Sequence, residues 1–208
     1  MSIRSLLGFK NSEKHSTLEY ITVVSGLPRS GTSMMMRMIE AGGMEIVTDH
    51  LRTPDDSNPK GYYEFETVKK LKDGDRAWVG SARGKAVKVI SALLEYLPRE
   101  YTYQVIFMRR DIHEILASQK KMLIDRGEPT DKVSDEKMAE LYRNHLSKVE
   151  GWLKQQPNMK TLFVNYNEVL ANPDTYLDSI NRFLSNRLEV SNMRQVIDKN
   201  LYRQRNRA

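Results

Sequence analysis

Cysteine is missing from all 208 residues. Its absence excludes disulfides, thiolate metal sites and a cysteine nucleophile, and it suits a reducing compartment. Long apolar runs are missing too. No stretch approaches the roughly 18 apolar residues of a membrane helix. The first ten residues hold one short apolar run, Leu6-Leu7, with no signal-peptide core or cleavage pattern. A cytoplasmic chain with no membrane partner is expected. The histidines His15, His50, His113 and His145 are too scattered to form a metal triad with carboxylates, and HExxH spacing is absent. No required metal is expected. Neither an RNA-binding aromatic motif nor a helix-turn-helix pattern occurs, so nucleic acid is not an expected partner.

What is present is an excess of positive charge, with 33 Lys and Arg against 27 Asp and Glu. Part of it sits near the end, in Arg194, Lys199, Arg203, Arg205 and Arg207. A basic balance favours anionic ligands by long-range attraction without naming them. The length fits a single domain over 1–208, with the polar residues 1–16 as a loosely ordered lead-in. Oligomeric state leaves no trace in the sequence.

Strands and helices alternate. Residues 20–24 (YITVV) form a β-branched run ending at Ser25-Gly26, and the spacing predicts a helix over 32–41, stopped by Gly42-Gly43. Its Met34, Met35, Met36 and Met38 read as core packing. A long Pro-, Asp- and Gly-rich loop covers 48–63, with a short helix over 64–72. Further strands are expected at 85–90 (KAVKVI), 103–108 (YQVIFM) and 161–164 (TLFV), with helices at 111–125 and 134–155 and a final amphipathic helix opening at Pro173. Asp111 suits an N-cap. The pattern predicts an α/β fold, a P-loop-like parallel β-sheet covered by helices on both faces, with ligands beyond the carboxyl ends of the strands.

The first such end carries the run Gly26-Leu-Pro-Arg-Ser-Gly31-Thr32-Ser33. Its G-x-x-x-x-G spacing between strand and helix is that of a phosphate loop. Glycines let backbone N–H groups curl around an anion, and the helix N-terminus adds a positive dipole end. Thr32 stands where nucleotide triphosphatases carry lysine, and the cation lies inside the loop as Arg29. One cation with backbone and hydroxyl donors suits an anion less highly charged than a triphosphate. A second run, Val105-Ile-Phe-Met-Arg109-Arg110-Asp111, places Arg110 at a strand end with Ser118 eight positions on. A planar guanidinium suits a phosphate.

These two runs resemble the 5′-phosphosulfate loop and the 3′-phosphate motif of sulfotransferases that use 3′-phosphoadenosine 5′-phosphosulfate (PAPS). The loop is closest to the arginine-bearing form of tyrosylprotein and many bacterial enzymes. The resemblance spans about residues 20–186 and implies PAPS as co-substrate. It assigns Arg29, Ser30, Gly31, Thr32 and Ser33 to the phosphosulfate end, and Arg110 and Ser118 to the 3′-phosphate. Tyr166 matches a tyrosine that contacts adenine, and Arg203 a late basic loop, although the Arg-Lys-Gly pattern of that loop is absent.

Lys88 sits where cytosolic sulfotransferases carry a lysine before a histidine, but Val89 and Ile90 follow it, so their base is missing. The replacement is open between His50, which lies 21 positions after Arg29, its neighbour Asp49, and Glu64. Arg29, Lys88 and one of these groups are the expected catalytic set. The implied reaction moves a sulfuryl group to a hydroxyl or amine on a small-molecule or carbohydrate acceptor. A P-loop nucleotide kinase and a non-catalytic nucleotide- or nucleic-acid-binding module are the alternatives. The kinase reading has to do without the Walker lysine.

Overall fold

Five parallel strands form one sheet in the order β2-β3-β1-β4-β5. The computed structural model describes residues 20–49, 51, 58, 61–130 and 132–198. In chain order the elements are β1 (Tyr20–Gly26), α1 (Thr32–Ala41), β2 (Ile46–Val47), β3 (Ala86–Lys88), β4 (Thr102–Arg109), α2 (Ile112–Asp125), α3 (Asp135–Leu153), β5 (Met159–Asn165), α4 (Tyr166–Ala171), α5 (Pro173–Phe183) and α6 (Val190–Gln195). Three 3₁₀ helices, Glu66–Asp73, Val79–Ala82 and Ser91–Tyr96, lie between β2 and β4.

The period-2 geometry of β1 and β4 sorts their apolar side chains into two cores. Val24, Ile106 and Met108 pack with α1, α4, α5 and α6, whereas Ile21, Val23, Tyr103, Val105 and Phe107 pack with α3 and the 3₁₀ helices. The sheet is thus covered on both faces, and β1 and β4 are almost wholly buried, as a central parallel strand requires. The four methionines of α1 divide: Met35, Met36 and Met38 are buried in the first core, and Met34 is half-buried.

Local signals act where they were expected. Asp111 accepts the Glu114 N–H at the start of α2, Ser134 caps α3 through the Lys137 N–H, and Pro173 opens α5. Three expectations are corrected. The KAVKVI strand is only Ala86–Lys88, because Val89 and Ile90 turn out of the sheet into the 3₁₀ helix Ser91–Tyr96. The helix over 64–72 is a 3₁₀ helix, Glu66–Asp73, ended by Gly74 in the left-handed region. The helix from Pro173 is not the last, since α6 follows it and packs on α1 and α5. Among the described residues no helix is long and apolar enough to cross a membrane.

Candidate active site

Strand register brings the predicted site residues to one edge. Gly26 pairs with Met108, Val24 with Lys88, and Arg109 with Asn165, so the chain leaves the sheet at Leu27, Val89, Arg110 and Tyr166 side by side. A cavity of about 370 Å³ opens there, lined in part by Arg29, Gly31, Thr32, Ser33, Glu64, Lys88, Arg110, Ser118 and Tyr166. This is the carboxyl end of the strands, where ligands of open parallel sheets bind.

The loop after β1 is built by close approach. A Cβ on Gly26 would lie 2.6 Å from the Met108 carbonyl oxygen, so only glycine lets β1 run this near β4. The Ser30 N–H donates to the Leu27 carbonyl at 3.1 Å, closing a turn with Pro28 second and Arg29 third, at φ 72°. That third position favours glycine. Arginine holds it here, as strained backbone does at many functional sites. Gly31, at φ 100°, then leads into α1, and a Cβ on it would lie 2.4 Å from the Tyr166 ring. Met35 is the first α1 residue whose N–H reaches back to Gly31. The N–H groups of Thr32, Ser33 and Met34 therefore lack acceptors within the helix, at the point where these three residues line the cavity.

Arg29 and the second motif touch. The Arg29 Nε donates to the Ser118 hydroxyl at 2.9 Å, and an Arg110 Nη1 donates to the Arg29 carbonyl at 3.1 Å. Residues that the resemblance assigns to opposite ends of one nucleotide here hold each other. A guanidinium on a left-handed backbone has the reach to do so. The adjacent Arg109 points away, paired through Nε and Nη2 with Glu150 and stacked 4.0 Å from the Phe163 ring centre. Tyr166 is buried between the two motifs, against Gly31 on one side and 4.5 Å from the Arg110 guanidinium. Burial pushes its phenol above the ordinary range, with the Arg110 charge pulling the other way.

Lys88 donates to the Tyr62 carbonyl at 2.7 Å and to the Ser33 hydroxyl at 3.3 Å, and its Nζ lies 3.8 Å from Glu64. Glu64 is thereby held beside the loop. Asp49 has a different task, since its carboxylate accepts the backbone N–H groups of Leu51 and Glu66 and it is not among the lining residues. Ser30 also departs from expectation. Its hydroxyl is buried under the loop, close to the position a Gly26 Cβ would take, and its N–H is spent on the Leu27 turn. His50 and Arg203 lie outside the described residues.

Sequence reasoning missed several lining cations. Arg37 on α1 and Lys121 and Arg126 at the end of α2 face the same cavity. Arg37 donates to the Val196 carbonyl at 3.1 Å, and burial pulls its guanidinium below the ordinary value. Arg37 lies two α1 turns from the loop, a spacing that was readable. Seven described lining side chains are basic against two acidic ones, Glu64 and Asp198. Such a surplus, in a cleft with low-dielectric walls, concentrates anions. No group of three or more metal-ligating side chains converges among the described residues.

A family model described as the sulfotransferase domain matches residues 21–205. No curated protein matches. Among solved structures, mouse sulfotransferase SULT7A1, crystallised with PAP, superposes with a TM-score of 0.56 and 18% identity, over 86% of this chain and 63% of that one. Sulfotransferase STF1 from Mycobacterium tuberculosis H37Rv superposes with a TM-score of 0.54 and 16% identity, over 86% of this chain and 71% of that one. At these identities the likeness is one of fold, and the chain spans less than two thirds of the mouse protein.

Proposed function

The chain belongs to the sulfotransferase family over residues 21–205, and from that premise we propose that it uses PAPS as donor and sulfates a hydroxyl or amine of a small-molecule or carbohydrate acceptor. The reading treats the whole as one domain that releases adenosine 3′,5′-bisphosphate (PAP). Its main support is the convergence of Arg29, Arg110 and Ser118, joined by hydrogen bonds of 2.9 and 3.1 Å, in one basic cavity. A nucleotide with anions at both its 3′ and 5′ positions needs two such grips within reach of each other.

The cavity fits such a donor on local grounds. Gly31 lets the loop pass directly against the Tyr166 ring, and the first N–H groups of α1 lack helical acceptors where Thr32, Ser33 and Met34 line the cavity. The donor brings an activated sulfuryl group on a phosphosulfate anhydride. Arg29 and the α1 N-terminus hold the anionic end and stabilise the charge that grows on the leaving phosphate. Arg110 and Ser118 hold the second anion. Lys88, on Ser33 and next to Glu64, ties the loop to the acceptor side. Glu64 takes the acceptor's proton, a role supported by its place in the cavity lining, which Asp49 does not share.

Two measurements test the reading. Radiolabelled sulfate from PAPS should pass to an acceptor without added Mg²⁺. Glu64→Gln should lower kcat by about 10²–10⁴, the usual worth of a general base, with PAP affinity unchanged. Undiminished turnover in that variant would remove Glu64 from the mechanism.

A further inference from the structure

The Arg110 side chain is largely covered, and its guanidinium is restrained on three sides. The Nε donates to Glu114 Oε2 at 2.9 Å, an Nη1 donates to the Arg29 carbonyl at 3.1 Å, and the plane lies 4.5 Å from the Tyr166 ring centre. Glu114 is the more deeply buried partner, with 3% of its side chain exposed against 8% for Arg110. A carboxylate so far from water needs several donors. Glu114 has a second one in Asn167, whose side-chain amide lies 3.1 Å from both carboxylate oxygens. Asn167 follows Tyr166 on α4, so one short helix holds Glu114 through Asn167 and faces Arg110 with the Tyr166 ring. By spacing alone Glu114 is the acid three places after the Asp111 cap, a common helix-start residue. Its carboxylate is turned instead onto the neighbouring arginine.

We propose that Glu114, held by Asn167, is a positioning residue that fixes the orientation of the Arg110 guanidinium and so sets the preference of the site for a nucleotide bearing a 3′-phosphate. The inference rests on the PAPS reading. A carboxylate beside an anion-binding arginine lowers the local positive charge and weakens plain attraction. Its gain is orientation: with Nε engaged, rotation about the last side-chain bonds is blocked, and the fork presents one edge. Loss of the Glu114 charge would remove the anionic partner of Nε, and with it one of the restraints that hold the fork in the orientation a phosphate requires.

The test compares affinities for PAP and for adenosine 5′-monophosphate, which differ by the 3′-phosphate alone. Wild type should bind PAP more tightly. Glu114→Gln should weaken PAP about ten- to a hundred-fold, the scale of a charge-assisted hydrogen bond, with the monophosphate within about twofold. Glu114→Asp, which keeps the charge, should recover part of the preference. A general packing role would weaken both ligands together. An unchanged ratio of the two affinities in folded Glu114→Gln overturns the proposal. If that variant does not fold, Asn167→Ala, which leaves the Arg110–Glu114 pair but removes its support, should reduce the ratio at least threefold, and an unchanged ratio there overturns it equally. A wild type with no preference for PAP would instead overturn the PAPS reading on which the proposal stands.

Discussion

Arg29→Gly is expected to lower sulfuryl transfer by about 10²–10³, the loss seen when one transition-state donor is removed, with a melting temperature unchanged or raised. The two effects have separate causes. In the proposed mechanism the side chain carries the charge that steadies the leaving group, while the backbone at φ 72° strains any residue but glycine. A left-handed L-residue costs about 1–2 kcal/mol, and glycine would remove that strain. The lost hydrogen bond to Ser118 offsets part of the gain, by about 1 kcal/mol. Arg29→Ala, which keeps the strain and loses the hydrogen bond, should be as inactive and less stable than the glycine variant. Thermal melts beside PAPS turnover read both quantities. An active glycine variant, or one several kcal/mol less stable than wild type, would contradict the account.

Gly31→Ala should destabilise the protein by about 2–6 kcal/mol and abolish PAP binding. Part of the loss is backbone strain at φ 100°, about 1–3 kcal/mol. The rest is a collision, because the new methyl would lie 2.4 Å from the Tyr166 ring, and overpacking of this kind costs about 1–3 kcal/mol. Gly43→Ala is the control. It sits beyond the other end of α1 at φ 97°, with nothing within 4 Å of the added methyl, so it bears the strain alone. Urea melts should show Gly31→Ala to be the costlier substitution, and calorimetry should show PAP binding lost in that variant only. Equal losses in the two variants would mean that the Tyr166 ring yields easily and does not set the spacing between loop and Arg110.

Much of this arrangement was legible in order and type. β-branched runs, Gly-Gly and Pro stops and the Asp111 cap act within a few residues, so their outcome can be read locally. Two residues could not announce β2, since Ile46–Val47 is too short to carry a period. The spacing to Ser118 selected Arg110 over Arg109, but the ion pairs that turn the two apart, to Glu114 and to Glu150 on a distant helix, are not in that spacing. The Arg29–Ser118 hydrogen bond joins residues 89 positions apart, a contact that no spacing rule contains. Ser30 misled because the motif names a residue type but not the side of the turn its hydroxyl takes. Tyr166 matched the adenine-contacting tyrosine of the family, and the structure adds that its ring, lining the cavity, is wedged between Gly31 and Arg110. That role becomes visible only when Arg109 and Asn165 are seen to end neighbouring strands in register.

Isothermal calorimetry of the full chain with PAP and with ATP, each with and without Mg²⁺, tests the central claim most directly. The account predicts that PAP binds without metal, that ATP binds far more weakly in either condition, and that Arg110→Ala abolishes the difference between them. Tight ATP binding that requires Mg²⁺, with PAP no better, would contradict it.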